Sequence, residues 1–226
     1  MDFFVVYGLT IISLIITIGA QIFVNSSYNK YKKVNNKQGL TGKEAARSLL
    51  DKYGLSDVKV EETRGFLSDH YDPRNKSVRL SSDNYHGTSI SAVSVACHEC
   101  GHAMQDKDGY FFMKIRSSLV PITNFASYVG YIAIMIGIIF GAINFIWIGI
   151  LFEIVILLFQ IVTLPVEFNA SSRALKAIEK ENFFSNEELK KGKIMLGAAA
   201  MTYVASVAST LIQILRLVLM FGRRND

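Results

Sequence analysis

Phe3 to Val24 is an uncharged run of 22 residues, too long and too apolar for an ordinary helix of a soluble domain. As a helix rising about 1.5 Å per residue it is roughly 33 Å long. That is enough to cross a hydrocarbon layer of about 30 Å. Three more apolar blocks follow, from about Ala126 to Ile143, from about Phe145 to Val166 and from Ile194 to Phe221. Half of the chain is apolar and 19% is charged, against about 25% in a soluble domain. This blocked pattern excludes a disordered chain and a fully soluble one. Two cysteines cannot form a disulfide scaffold.

The first block reads as an anchor and not as a cleaved signal. Only Met1 and Asp2 precede it, with no basic region, and no small-residue cleavage site follows. Lys30, Lys32, Lys33 and Lys37 come directly after it. The excess of positive charge places this flank in the cytoplasm and the N-terminus outside. The net charge of +5 invites a nucleic-acid reading, but these lysines are an orientation signal, and no nucleic-acid partner is expected. Only Gly141-Ala142-Ile143-Asn144 separates the second block from the third, so these form a transmembrane hairpin closed on the outer side. The segments before Ala126 and after Val166 then share the cytoplasmic side. The fourth block has one polar face, formed by Thr202, Ser206, Ser209, Gln213 and Arg216 at three- and four-residue steps. It is expected to span, which puts Arg223 and Arg224 outside, against the charge rule.

Residues 25–125 carry 15 Lys and Arg against 11 Asp and Glu, the balance of a folded domain. Thr41-Gly42-Lys43-Glu44 is a capping box, predicting a helix over Gly42 to Lys52 that Gly54 ends. Val58 to Glu62 alternates as a strand. His70-Tyr71 and Ser77-Val78-Arg79-Leu80 read as two short strands around the turn Asp72 to Lys76. A second helix is predicted over Ser89 to Gln105, with Thr88 or Ser89 as its cap. Asn186 with Glu187-Glu188 marks another helix start.

His98-Glu99-Cys100-Gly101-His102 falls in the second of these helices. Residues i and i+4 of a helix lie on one face, so both imidazoles can reach one Zn²⁺ at about 2.0–2.1 Å. Glu99 stands beside them as the general base that takes a proton from the attacking water. With 4 histidines in the chain, such a pattern arises by chance about 0.003 times. A zinc hydrolase needs a third protein ligand. The remaining candidates are Glu167, at the mouth of the third apolar block, and His86 or His70. Pro165 is expected to break or kink the helix there and free Glu167 to turn inward.

The motif helix, the apolar hairpin after it and the stretch Val166-Glu167-Phe168-Asn169-Ala170 resemble the YugP-type bacterial membrane zinc metallopeptidases. More distantly, the chain is similar to the HtpX-like membrane gluzincins. The resemblance implies that Glu167 is the third zinc ligand. The distant relatives carry an Asp four residues after that Glu, where this chain has Ser171, which leaves the role of orienting a histidine to Asn169 or another acid. The expected fold is a mainly α membrane protein with a small α+β zincin-like cytoplasmic domain containing a short β-sheet. The expected parts are an anchor over 1–25, the zincin-like domain over 26–125, the hairpin over 126–166, a helical segment with the third ligand over 167–193 and a fourth apolar helix and tail over 194–226.

The expected function is that of a membrane-anchored zinc metalloendopeptidase acting near the cytoplasmic surface on protein or peptide substrates, membrane proteins among them, in contact with the bilayer and with no oligomeric state implied. An intramembrane protease fits less well, because the motif helix is short and polar. The non-enzymatic alternative is a zinc-stabilised membrane scaffold or adaptor. Cys97 and Cys100 read as small packing residues, since a redox pair would need a βαβ context. The strand around Ser77 to Leu80 offers an edge for an extended substrate, or is an ordinary structural hairpin. Glu153, Gln160 and Glu167, at seven-residue steps, form a polar stripe on the third block. Glu153 is expected to contact the polar face of the fourth block, at Thr202 or Ser206, or to line a wet groove.

Overall fold

The computed structural model describes residues 3–222, so Arg223 and Arg224 lie outside the described residues. The elements run α1 (Phe3–Lys32), α2 (Gly42–Lys52), β1 (Lys59–Thr63), β2 (His70–Asp72), β3 (Ser77–Ser81), α3 (Ser82–His86), α4 (Ile90–Lys107), α5 (Phe111–Phe140), α6 (Ile143–Lys180) and α7 (Asn186–Phe221). The chain divides into two compact units. One comprises residues 1–21, 115–164 and 202–226; the other comprises residues 22–114 and 165–201.

The first unit contains only parts of α1, α5, α6 and α7. All four helices are long and apolar enough to cross a membrane. Gly141, at φ +66°, makes the turn between α5 and α6, a conformation that costs glycine nothing. Ile146 and Ile150 of α6 pack with Leu217 and Phe221 of α7. The polar face of α7 meets polar residues of α1: Ser209 Oγ lies 2.6 Å from Ser13 Oγ. Arg216 Nη1 donates to Thr10 Oγ1 at 2.8 Å. The expected contact from Glu153 to this face is not formed. Among the described residues Glu153 is half-buried without a hydrogen-bond partner, and Ser206 Oγ turns back to donate to the Thr202 carbonyl at 3.0 Å.

The second unit holds the sheet and the shorter helices. Thr41 and Glu44 form the reciprocal capping box that starts α2. The amphipathic face of α2 buries Ala45, Ala46, Leu49 and Leu50. These pack with Val58, Val78 and Leu80 from the sheet region, with Ile90, Val93, Ala96 and Cys97 of α4, and with Ala174, Ala177 and Ile178 of α6. Ser89 caps α4 by accepting from the Ala92 amide at 3.1 Å.

Two expectations are corrected here. The sheet order is β1-β3-β2, with β1 parallel and β2 antiparallel to β3. The strand over Ser77 to Leu80 is therefore the central one, paired on both sides, and offers no free edge to a substrate. Helix α6 also continues through Pro165 to Lys180 without a break.

Helix α4 packs closely on α6 at Gly101. A Cβ there would lie 2.5 Å from the Ala170 carbonyl oxygen, inside van der Waals contact with backbone that cannot rotate away. Gly101→Ala is predicted to destabilise the second unit by about 1–3 kcal/mol, the usual cost of overpacking. A thermal unfolding midpoint equal to that of the unaltered protein would refute the close-packing requirement.

Candidate metal centre

Helix α4 presents His98 and His102 one turn apart, with ring centroids separated by 4.8 Å and planes at 85°. Helix α6 presents Glu167 to the same point. Its Oε2 lies 3.3 Å from His98 Nε2 and 3.6 Å from His102 Nε2. One donor atom from each of the three residues falls within 4.8 Å of the others. Ligands on tetrahedral zinc at about 2.0–2.1 Å are separated by roughly 3.3 Å, so the two oxygen–nitrogen distances fit the edges of such a site. Glu167 is 3% exposed and His102 is 7% exposed. The surroundings are thus largely water-excluded.

The other two histidines do not join this group. His70 Nδ1 donates to the Ser68 carbonyl at 2.7 Å. His86 Nε2 pairs with Glu62 Oε2 at 3.2 Å. Both side chains are exposed to solvent.

Glu99 follows His98 directly and is 8% exposed. Burial raises its carboxyl from 4.5 to about 7, a rise that His98 opposes and the Glu167 charge reinforces. The group therefore gains and loses its proton near neutrality, the range suited to a general base. Cys97 and Cys100 are free thiols with no exposed surface. Burial pushes both thiols up, so they are packing residues and not nucleophiles.

The second ring nitrogens of the two histidines are also occupied. Ser171 Oγ lies 3.1 Å from His98 Nδ1, so the serine standing in the relatives' Asp position still reaches the imidazole. Asn169 makes no contact of this kind. Instead His102 Nδ1 lies 3.0 Å from Gln105 Oε1, a residue the sequence reading passed over. Its signal was present: Gln105 is three residues after His102, on the same helix face.

Two imidazoles on one helix and a carboxylate on another could hold one metal ion, in a chain with four helices long and apolar enough to cross a membrane. The family described as "Putative neutral zinc metallopeptidase" matches residues 6–222, and the chain belongs to it. It is 46% identical over 218 residues to the "Putative membrane protease YugP" of Bacillus subtilis, covering 96% of this chain and 97% of that one. No solved structure matches the chain.

Burial of Glu99 also has a thermodynamic sign. Its folded-state value, about 7, lies above the ordinary 4.5. Between these values the folded state binds more protons than the unfolded one, so stability falls as pH rises. In chelator-treated protein this group should remove on the order of 3 kcal/mol of stability across that window. Glu99→Gln should flatten the dependence in thermal unfolding followed against pH; an unchanged slope would contradict the shift.

Proposed function

We propose that this protein is a zinc metalloendopeptidase with its site on the cytoplasmic side of a multi-pass membrane protein. The convergence of His98, His102 and Glu167 beside Glu99 is the observation that carries the reading. In it, His98, His102 and Glu167 hold the zinc, and the 26–125 region is a zincin-like domain completed by α6. Zinc supplies Lewis-acid polarisation of the scissile carbonyl and lowers the pKa of water. Glu99 takes the proton of the attacking water on its carboxylate and releases it to the leaving amine nitrogen. His98 and His102 present Nε2 while their Nδ1 atoms are held by Ser171 and Gln105. The cytoplasmic placement rests on Lys30, Lys32, Lys33 and Lys37 after the first apolar block and on the tight hairpin turn. Glu167 comes directly after the third block, so loops of membrane proteins are the substrates we favour.

In the zinc-loaded, detergent-purified protein, Glu99→Gln should retain zinc while proteolysis of unfolded membrane substrates falls by about 10²–10⁴-fold. His98→Ala, His102→Ala or Glu167→Ala should each lose most of the metal. One zinc per chain after both histidines are replaced would refute the assignment, and undiminished cleavage by Glu99→Gln would refute the base.

Reporters joined near residue 35 or residue 180 should read as cytoplasmic, and one inserted at Asn144 as external. Opposite labelling of 35 and 180 would rule out the hairpin topology.

A further inference from the structure

Gln105 is neither a ligand nor a proton carrier in this reading, yet its side chain is fully buried beside the site. A side-chain amide offers one acceptor oxygen and two N–H donors. Here all are used. Nε2 donates to the Val166 carbonyl at 2.8 Å and to Asn169 Oδ1 at 3.0 Å, and Oε1 faces His102 Nδ1 at 3.0 Å. Asn169 Oδ1 in turn accepts from Arg173 Nε at 2.8 Å, and the Arg173 guanidinium is paired with Asp108.

Two groups in this chain have a polarity that cannot reverse. A carbonyl only accepts and a guanidinium only donates. Arg173 therefore requires oxygen, not nitrogen, at the near atom of Asn169. That oxygen and the Val166 carbonyl both require the nitrogen of Gln105. Its oxygen is left facing His102 Nδ1, which must then carry the proton. In the neutral ring the lone pair of His102 is then on Nε2, free for a cation lying between it and Glu167 Oε2, 3.6 Å away. The hydroxyl of Ser171 can donate or accept, so it imposes no such choice on His98.

We propose that Gln105 is a positioning residue. It fixes the His102 tautomer that presents a bare Nε2, and it ties this ring to the backbone of Val166, the residue immediately before Glu167. One amide thus sets the spacing of two ligands carried by separate helices. The proposal deepens the zinc reading and rests on it for its consequence, but the proton position is testable without metal.

The first test is nitrogen-15 NMR of the full-length Glu167→Ala protein with labelled histidine, in detergent with chelator, so that no carboxylate faces Nε2 in place of a cation; His102 is assigned by adding His102→Ala. Neutral His102 should carry its proton on Nδ1; a proton on Nε2 overturns the proposal. The second test is zinc affinity by competition with a chelator. Gln105→Glu keeps an oxygen for His102 but turns the other oxygen against two acceptors. It should weaken zinc binding about 10–100-fold, the usual cost of a lost outer partner. Asn169→Asp keeps an acceptor for both Gln105 and Arg173 and should leave the affinity near that of the unaltered protein. A simple carboxylate–histidine pairing would instead make Gln105→Glu equal or tighter, and that result overturns the relay. Should no form of the protein bind zinc, the functional reading fails, while the NMR result still decides the tautomer.

Discussion

The site depends on how closely two helix backbones can approach at Gly101 and Ala170. The two imidazoles belong to α4 and the carboxylate to α6, and side chains of fixed length bring them together only if the axes are near. The missing Cβ of Gly101 leaves the Ala170 carbonyl in contact with the opposite backbone. Ala174 and Ala177 continue a small-residue face along α6, packed in the same core as Ala96, Cys97 and Cys100 of α4. The rest of this unit supports that contact: α2, the sheet and the first part of α7 bury the remaining apolar surface.

This arrangement gathers charge where water is scarce. Glu99 and Glu167 together carry two negative charges when ionised, and each is less than a tenth exposed. Two like charges so buried are costly without a counter-charge. A divalent cation held by neutral imidazoles balances that charge. The donor set therefore suits a metal on electrostatic grounds as well as on spacing.

Much of this was readable in the sequence because the signals were local. The i and i+4 spacing of His98 and His102, the capping box at Thr41 and the uncharged turn at Gly141 each depend on a few neighbouring residues. The misreadings came from non-local causes. Pro165 removes one helical donor, which reads as a break; yet flanking residues keep α6 helical, as prolines inside apolar helices are often tolerated. The strand order could not be inferred from alternation, because whether Ser77–Ser81 is an edge or a centre depends on a partner about 18 residues earlier. Its place at the mouth of the third apolar block made Glu167 the leading third ligand but left His70 and His86 open, and the resemblance strengthened it. Gln105 lay in plain view on the motif helix, but its meaning depended on Val166 and Asn169, more than 60 residues away in sequence.

The placement of Cys97 and Cys100 also bears on how the protein acquires its metal. In the extended chain, Cys97, His98, Cys100 and His102 offer two thiols and two imidazoles within six residues, a set that zinc readily accepts. Folding withdraws both sulfurs into the core and replaces them with a carboxylate from a distant helix. Zinc thus has affinity for the denatured chain too, and by mass action it stabilises the folded state by less than its native affinity alone would give. In the proposed site, burial of both sulfurs leaves the two imidazoles and Glu167 as the donors that face a metal once α4 and α6 are packed.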